Sequence, residues 1–174
     1  MVRLAGNMQR NLVFVYGTLR QNEFNHKCLT EEENGRSRLI DIGTTKEKYP
    51  LVIASRYNIP YALAAPGKGE YIEGEVYEVD DKMLATLDKL EDHPRYYERK
   101  IIKVLLQKSR EEVDCWIYLL FKYKPHMMEL PFLKAYSSSG NHGKSYCARY
   151  LRQGPEEEYW TDVKFVEPTF DCIS

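Results

Sequence analysis

Short apolar runs separated by turn-forming clusters dominate this chain, and one stretch near its middle repeats its apolar residues at helical spacing instead. Asn11–Tyr16, Arg36–Thr45, Pro50–Ala54, Tyr61–Ala65, Tyr71–Val79, Tyr97–Leu106 and Val113–Leu120 are rich in β-branched and aromatic residues and read as strands. Asn34-Gly35, Pro66-Gly67-Lys68-Gly69 and Asp92-His93-Pro94 mark turns between them. In Asp80–Glu91, by contrast, Met83, Leu84, Leu87 and Leu90 fall on one arc at about 100° per residue, with Asp80 placed as N-cap and Pro94 just beyond the end. Shorter helical turns are expected at Asn25–Glu33, capped by Asn25, and at Leu130–Ala135. Strands at this spacing around one packed helix predict an α+β domain built on a small mixed β-barrel. That domain is expected over residues 11–152. Residues 1–10 read as a disordered leader, and residues 153–174 as an extension that either straps across the barrel or is disordered. The aromatic residues Tyr159, Trp160, Phe165 and Phe170 are its anchors.

One residue breaks the helical pattern. Glu91 lies seven residues after Leu84 and four after Leu87, on the arc that faces the core. A carboxylate there violates the apolar/polar pattern, as functional residues tend to do. Its place at a helix C-terminus and its burial both disfavour negative charge, so both push its pKa towards the range of a general base and acid. Two readings stay open on pattern alone: a functional carboxylate, or a structural one that pairs with Arg95 or Arg99 or swings into water as the helix end frays.

The second candidate is the end of the first strand. Tyr16-Gly17-Thr18-Leu19 follows an apolar run, and a glycine there lets the chain turn and aim several backbone N–H groups one way. Such a nest suits a carboxylate, with recognition by backbone more than by side chain. The plainer reading is a glycine that only relieves a turn.

Composition narrows the field. The 174 residues carry 25 Lys and Arg against 26 Asp and Glu, a net charge of −1, with the signs mixed throughout. Nothing in that balance points to nucleic acid or an anionic membrane. A basic patch of Lys100, Lys103, Lys108 and Arg110 reads as a solvated strand face, and no run approaches the roughly 20 apolar residues of a membrane helix. Cys28, Cys115, Cys147 and Cys172 are widely spaced, without a Cys-x-x-Cys pair, and read as reduced thiols in a cytoplasmic protein. The histidines His26, His93, His126 and His142 form no metal-ligand spacing, so no metal is expected. Gly143-Lys144-Ser145 lacks the glycine spacing of a phosphate-binding loop.

Several segments, taken together and in order, resemble the γ-glutamylcyclotransferase superfamily, most closely its γ-glutamylamine branch. They are Leu12-Val-Phe-Val-Tyr-Gly-Thr-Leu19 with Asn25-His26, Tyr49-Pro-Leu-Val-Ile-Ala54 with Asn58-Ile-Pro60, and Glu73-Gly-Glu-Val-Tyr77. Val79-Asp80, Met83-Leu84, Leu87-Asp88, Glu91, Pro94, Tyr97 and Arg99 follow, then the loop Tyr136-Ser-Ser-Ser-Gly140 with His142-Gly143. The resemblance covers about Leu12 to Tyr146. It implies a six- or seven-stranded barrel-like sheet with a helix beside it, and an enzyme that needs no cofactor. It further implies that Glu91 is the catalytic acid and base, that Tyr16, Gly17, Thr18 and Leu19 hold the substrate, and that Tyr136, Gly140 and His142 belong to a substrate loop. That loop carries no acidic residue among its serines, which departs from the family pattern.

The implied chemistry is cyclisation of a γ-glutamyl amide. The α-amine attacks the γ-carbonyl of the same molecule, closing 5-oxoproline and expelling an amine. Holding a folded-back conformer supplies the proximity, and no side-chain nucleophile is required. The substrate expected from the resemblance is ε-(γ-glutamyl)-lysine. No arginine pair stands out to bind a second carboxylate, so γ-glutamyl-α-amino acids such as glutathione are expected to be poorer substrates. Two alternatives remain: a cyclotransferase for γ-glutamyl-α-amino acids, and a non-catalytic barrel that binds a small carboxylate or a protein.

Overall fold

A computed structural model of the chain describes residues 10–166. Five strands close into a barrel: β1 (Asn11–Val15), β5 (Glu70–Val79), β2 (Ser37–Tyr49), β6 (Tyr97–Leu106) and β7 (Glu112–Leu120), in that order around it. Neighbours are antiparallel except β7 and β1, which close the ring in parallel through Val13 and Trp116. β3 (Leu51–Ala54) and β4 (Ile59–Ala62) form a separate two-stranded ladder. The barrel therefore has five strands and not six or seven. Pro50 interrupts the chain between β2 and β3, and Pro60 inside β4 has no N–H to give a further neighbour.

The strand pattern explains two cores. Val13 and Val15 of β1 join Tyr77 and Val79 of β5 and Tyr118 and Leu120 of β7 in one buried cluster. Phe14 and Tyr16 point the other way, with Val76, Val104, Ile117 and Leu119, into a second. Side chains alternate across a strand, so an unbroken apolar run such as Leu12 to Val15 buries both of its faces. Barrel closure requires a glycine at position 74. A Cβ there would sit 2.5 Å from the Val15 carbonyl oxygen and 2.6 Å from the Phe14 ring.

The helix α2 (Asp81–Leu90) starts where expected: Asp80 is its N-cap, and its carboxylate accepts the Met83 N–H at 2.8 Å. Met83, Leu84 and Leu87 are buried and Leu90 packs beside them, so α2 lies against the face of the barrel that carries Val13, Val15 and Tyr77. The shorter helical expectations fare less well. Asn25–Glu33 resolves into α1 (Lys27–Thr30) and a 3₁₀ turn at Glu32–Asn34, and His26, not Asn25, occupies the N-cap. The amide of Asn25 is used elsewhere, as described below. Leu130–Ala135 is irregular, and the 3₁₀ turn falls just before it, at Pro125–Glu129, where Pro125 supplies the preset φ of a first helical position.

In the segment after residue 152, α3 (Glu156–Trp160) buries Tyr159 and Trp160. Trp160 stacks on Tyr96 at 4.6 Å between ring centroids, and Arg56 binds Asp162 through both Nε and Nη2. Lys164 donates to the carbonyls of Arg95 and Tyr96. Phe165 stays exposed, and Phe170 and Cys172 lie outside the described residues, as does most of the leader. Cys28, Cys115 and Cys147 are free thiols, with Cys115 in the barrel core. No helix among the described residues is long and apolar enough to cross a membrane.

Candidate active site

A cleft enclosing about 600 Å³, its open mouth included, lies where the end of β1, the end of α2 and the chain leading into α3 meet. Its lining gathers Tyr16, Gly17, Thr18 and Leu19 with Glu91, residues more than seventy positions apart in sequence.

Glu91 is the C-cap of α2, where the chain leaves helical geometry before Asp92 takes a positive φ of 46°. Neither ion pair considered for it forms. Arg95 binds Asp92 and Glu157, and Arg99 binds Asp88 at 2.8 Å. Among the described residues the Glu91 carboxylate has no hydrogen-bond partner. Burial pushes its pKa up from an ordinary 4.5 to about 7, and the Arg149 guanidinium pulls weakly the other way. The same Arg149 donates from Nη2 to the carbonyl oxygen of Leu90 at 2.9 Å, so a cation terminates the helix immediately beside Glu91.

The opposite wall is the Tyr16–Leu19 loop. Gly17, Thr18 and Leu19 all line the cleft, and none of their three N–H groups finds an acceptor among the described residues. Gly17 does not adopt positive φ. The constraint at this position is close approach, because a Cβ would stand 3.0 Å from Cγ of Pro60. Thr18 is tied down by side chain as well as backbone. Its Oγ1 accepts from Asn25 Nδ2 at 2.8 Å, and its carbonyl accepts from the Asn25 N–H at 2.9 Å. The Tyr16 hydroxyl is spent on the fold, donating to the Tyr118 carbonyl and accepting from the Ala62 N–H.

The third set of expected residues is not brought to the cleft. Tyr136 is buried in the barrel core, and its carbonyl accepts from Arg20 at 2.8 Å. Beneath that loop Glu23 accepts the Ser138 N–H. His142 stacks against Tyr136 and spans its own loop. Nδ1 accepts the Lys144 N–H, so Nε2 carries the proton donated to the Ser137 carbonyl. Gly140 sits between them, its Cα facing the His142 ring.

Sequence reasoning missed other lining residues. Tyr96, Tyr97 and Tyr118 form aromatic walls whose hydroxyls burial keeps protonated. Tyr146, Arg149, Arg152 and Tyr159 come from the region after the serine-rich loop. The expectation that no arginine pair serves the site is therefore corrected. Arg149 and Arg152 are three apart across a 3₁₀ turn at Arg149–Leu151, a spacing that aligns side chains on such a turn. That turn carries no apolar periodicity to signal it. Cys28 feels the charge of Glu91, but burial first and that charge second push its thiol up, the reverse of what a thiolate nucleophile needs.

Comparison with known proteins identifies relatives of the chain and of its fold. Residues 13–137 match the family model described as gamma-glutamyl cyclotransferase, AIG2-like. A putative gamma-glutamylcyclotransferase of Drosophila melanogaster is 48% identical over 127 residues, 73% of this chain and 80% of that one. The gamma-glutamylaminecyclotransferase of Homo sapiens is 41% identical over 151 residues, 81% of this chain and 99% of that one. The crystal structure of an AIG2-like protein from Mus musculus superposes with a TM-score of 0.79 at 39% identity, covering 82% of this chain and 99% of that one. The chain belongs to the gamma-glutamyl cyclotransferase, AIG2-like family.

Proposed function

We propose that the protein is a γ-glutamylamine cyclotransferase that converts ε-(γ-glutamyl)-lysine into 5-oxoproline and free lysine, with Glu91 as its acid and base. The observation that carries this reading is an unpartnered carboxylate, its pKa pushed up to about 7, in the same cleft as three free backbone N–H groups. The N–H groups of Gly17, Thr18 and Leu19 hold the α-carboxylate of the γ-glutamyl group. That grip folds the substrate so that its α-amine faces its own γ-carbonyl. Ionised Glu91 takes a proton from the α-ammonium, the freed nitrogen attacks the γ-carbonyl carbon, and a five-membered tetrahedral intermediate forms. Glu91 then gives that proton to the departing nitrogen, the isopeptide C–N bond breaks and the carbonyl re-forms. The second proton left on the ring nitrogen passes through Glu91 to the released amine, which departs as its ammonium and leaves the neutral lactam. No water is consumed and the carboxylate ends as it began. A pKa near 7 suits both halves of this exchange. Tyr136, Gly140 and His142 act at a distance, by fixing the chain that leads to Tyr146.

The test is to incubate the protein with ε-(γ-glutamyl)-lysine, γ-glutamyl-alanine and glutathione and to quantify 5-oxoproline. Release from the first and much less from the others supports the reading. Comparable rates on all three favour the broader cyclotransferase, and no 5-oxoproline from any of them favours a non-catalytic binder.

A further inference from the structure

The geometry points to Arg152 as a second anion subsite, which receives the carboxylate carried by the leaving amine; this rests on the cyclotransferase reading above. The charged side chains lining the cleft are Glu91, Arg149 and Arg152. Arg149 is committed, to the Leu90 carbonyl and to Glu156. Arg152 has no carboxylate partner among the described residues. Its Nε donates to the Cys147 carbonyl at 3.1 Å, Nη1 to the Tyr159 hydroxyl at 3.2 Å and Nη2 to the Tyr146 hydroxyl at 2.9 Å. The rings of Tyr57, Tyr146 and Tyr159 surround it at 5.4, 5.3 and 5.2 Å. A guanidinium has five N–H donors, so two remain.

Every one of those partners is neutral. They fix the plane of the guanidinium without cancelling its charge, which leaves a pre-oriented fork of the kind that grips a carboxylate. The site is also joined to the nest. Asn25 Nδ2 donates to both Thr18 Oγ1 and the Tyr146 hydroxyl, and Tyr146 in turn accepts from Arg152. Two anion-binding elements are thus held on one wall by two intervening side chains, in the cleft that Glu91 also lines. The substrate has the matching form: two carboxylates at opposite ends, with the scissile amide between them. Arg152 lies beyond residue 137, where the match to the family model stops. The subsite selects γ-glutamyl amides whose amine bears a distal carboxylate and disfavours amines that end in a cation.

The experiment compares steady-state kinetics of the full chain on ε-(γ-glutamyl)-lysine, γ-glutamyl-n-pentylamine and γ-glutamyl-cadaverine, which share a five-carbon leaving chain. Wild type should prefer the lysine compound over the pentylamine compound by ten-fold or more in kcat/KM, chiefly through KM, with cadaverine last. Arg152→Gln should reduce that preference below three-fold, and Arg152→Lys should restore part of it. A preference that survives Arg152→Gln overturns the subsite. So does an equal loss on all three substrates, which would place Arg152 against the γ-glutamyl group or in the fold alone. Should Arg152→Gln not fold, product inhibition of wild type decides. Free lysine should compete with substrate at ten-fold lower concentration than cadaverine, and equal inhibition sinks the proposal. No turnover of any of the three by wild type would fail the cyclotransferase reading itself.

Discussion

Glu75 and Glu91 are two carboxylates withdrawn from the surface, and their surroundings are opposite. Glu75, on β5, is buried and fully engaged: it accepts the Gln21 N–H at 3.1 Å and the Tyr77 hydroxyl at 2.9 Å, with Arg20 at 3.8 Å. Glu91, at the end of α2, has no hydrogen-bond donor among the described residues and faces a cleft. The first arrangement binds the barrel to the loop that follows Leu19. The second is costly to the fold and useful only when a substrate brings the missing partner. What separates the structural carboxylate from the chemical one here is therefore the donors that satisfy Glu75 and that Glu91 lacks.

Glu91→Gln gives the widest separation. The amide keeps the shape but cannot move a proton, so turnover should fall by about three orders of magnitude or more. Stability should move the other way. The folded-state pKa of Glu91 lies above its unfolded value, so its contribution is fully present below about pH 4.5 and is lost as the pH rises through about 7. Above pH 7 the variant should be more stable than wild type, by roughly 1–3 kcal/mol, and near pH 4 indistinguishable from it. Urea midpoints across that range check the sign. A variant weakened at pH 8, or one that keeps most of its activity, breaks the comparison.

Glu75→Ala should do the reverse. It strips the Tyr77 hydroxyl and the Gln21 N–H of their acceptor and leaves Arg20 without its buried counter-charge, at a cost of about 2–4 kcal/mol. Urea unfolding at pH 7 measures this directly. A loss below about 0.5 kcal/mol would mean that satisfaction is not what distinguishes the two sites.

Both regions were legible in the sequence to different depths. Most strands emerged because they are β-branched or aromatic runs set off by turn-forming residues: β6 spans Tyr97–Leu106 as expected, whereas β4 lies at Ile59–Ala62 and not at Tyr61–Ala65, since Pro60 inside it hid its start. Glu91 was legible because it violates a clean helical pattern. Strand count was not, since whether β3 and β4 join the barrel depends on hydrogen bonds between segments far apart in sequence. The arginines of the cleft were hidden for a related reason. Arg149 and Arg152 sit in a short 3₁₀ turn, where neither periodicity nor a cap gives them a direction, and the turn is held at Glu91 by contacts distant in sequence, from the Cys147 N–H to the Tyr57 carbonyl and from Arg149 to the Leu90 carbonyl.

The loop opposite Glu91 sharpens the comparison at lower amplitude. Gly17→Val should cut kcat/KM ten-fold or more, because the side chain must displace Pro60, whose ring already limits a single Cβ to 3.0 Å. Thr18→Ala is milder, yet not silent: it removes the acceptor of Asn25 and loosens Tyr146 with it. A few-fold rise in KM and about 1 kcal/mol of stability are expected, and Thr18→Ser should recover most of both. If Thr18→Ala proves worse than Gly17→Val at matched Tm, the hydroxyl and not the backbone grips the substrate carboxylate.

The smallest effect concerns the partial partner that Glu91 does have. Arg149 is the one group that draws the Glu91 pKa back down, and its guanidinium is fixed by the Leu90 carbonyl. Arg149→Met keeps much of the side chain's apolar length and removes the charge. Glu91 should then hold its proton to still higher pH, so the acid limb of kcat/KM, which reports the free enzyme, should move upward by a fraction of a pH unit. Arg149→Lys should return it most of the way, because the charge is restored even though the bond to Leu90 is not reproduced in full. A purely structural clamp would lower the plateau of the profile and leave the position of its limb unchanged. A limb that stays in place in Arg149→Met, or moves downward, therefore removes Arg149 from the tuning of Glu91. It would also leave that carboxylate as isolated in charge as it is in hydrogen bonding, which makes the contrast with Glu75 complete.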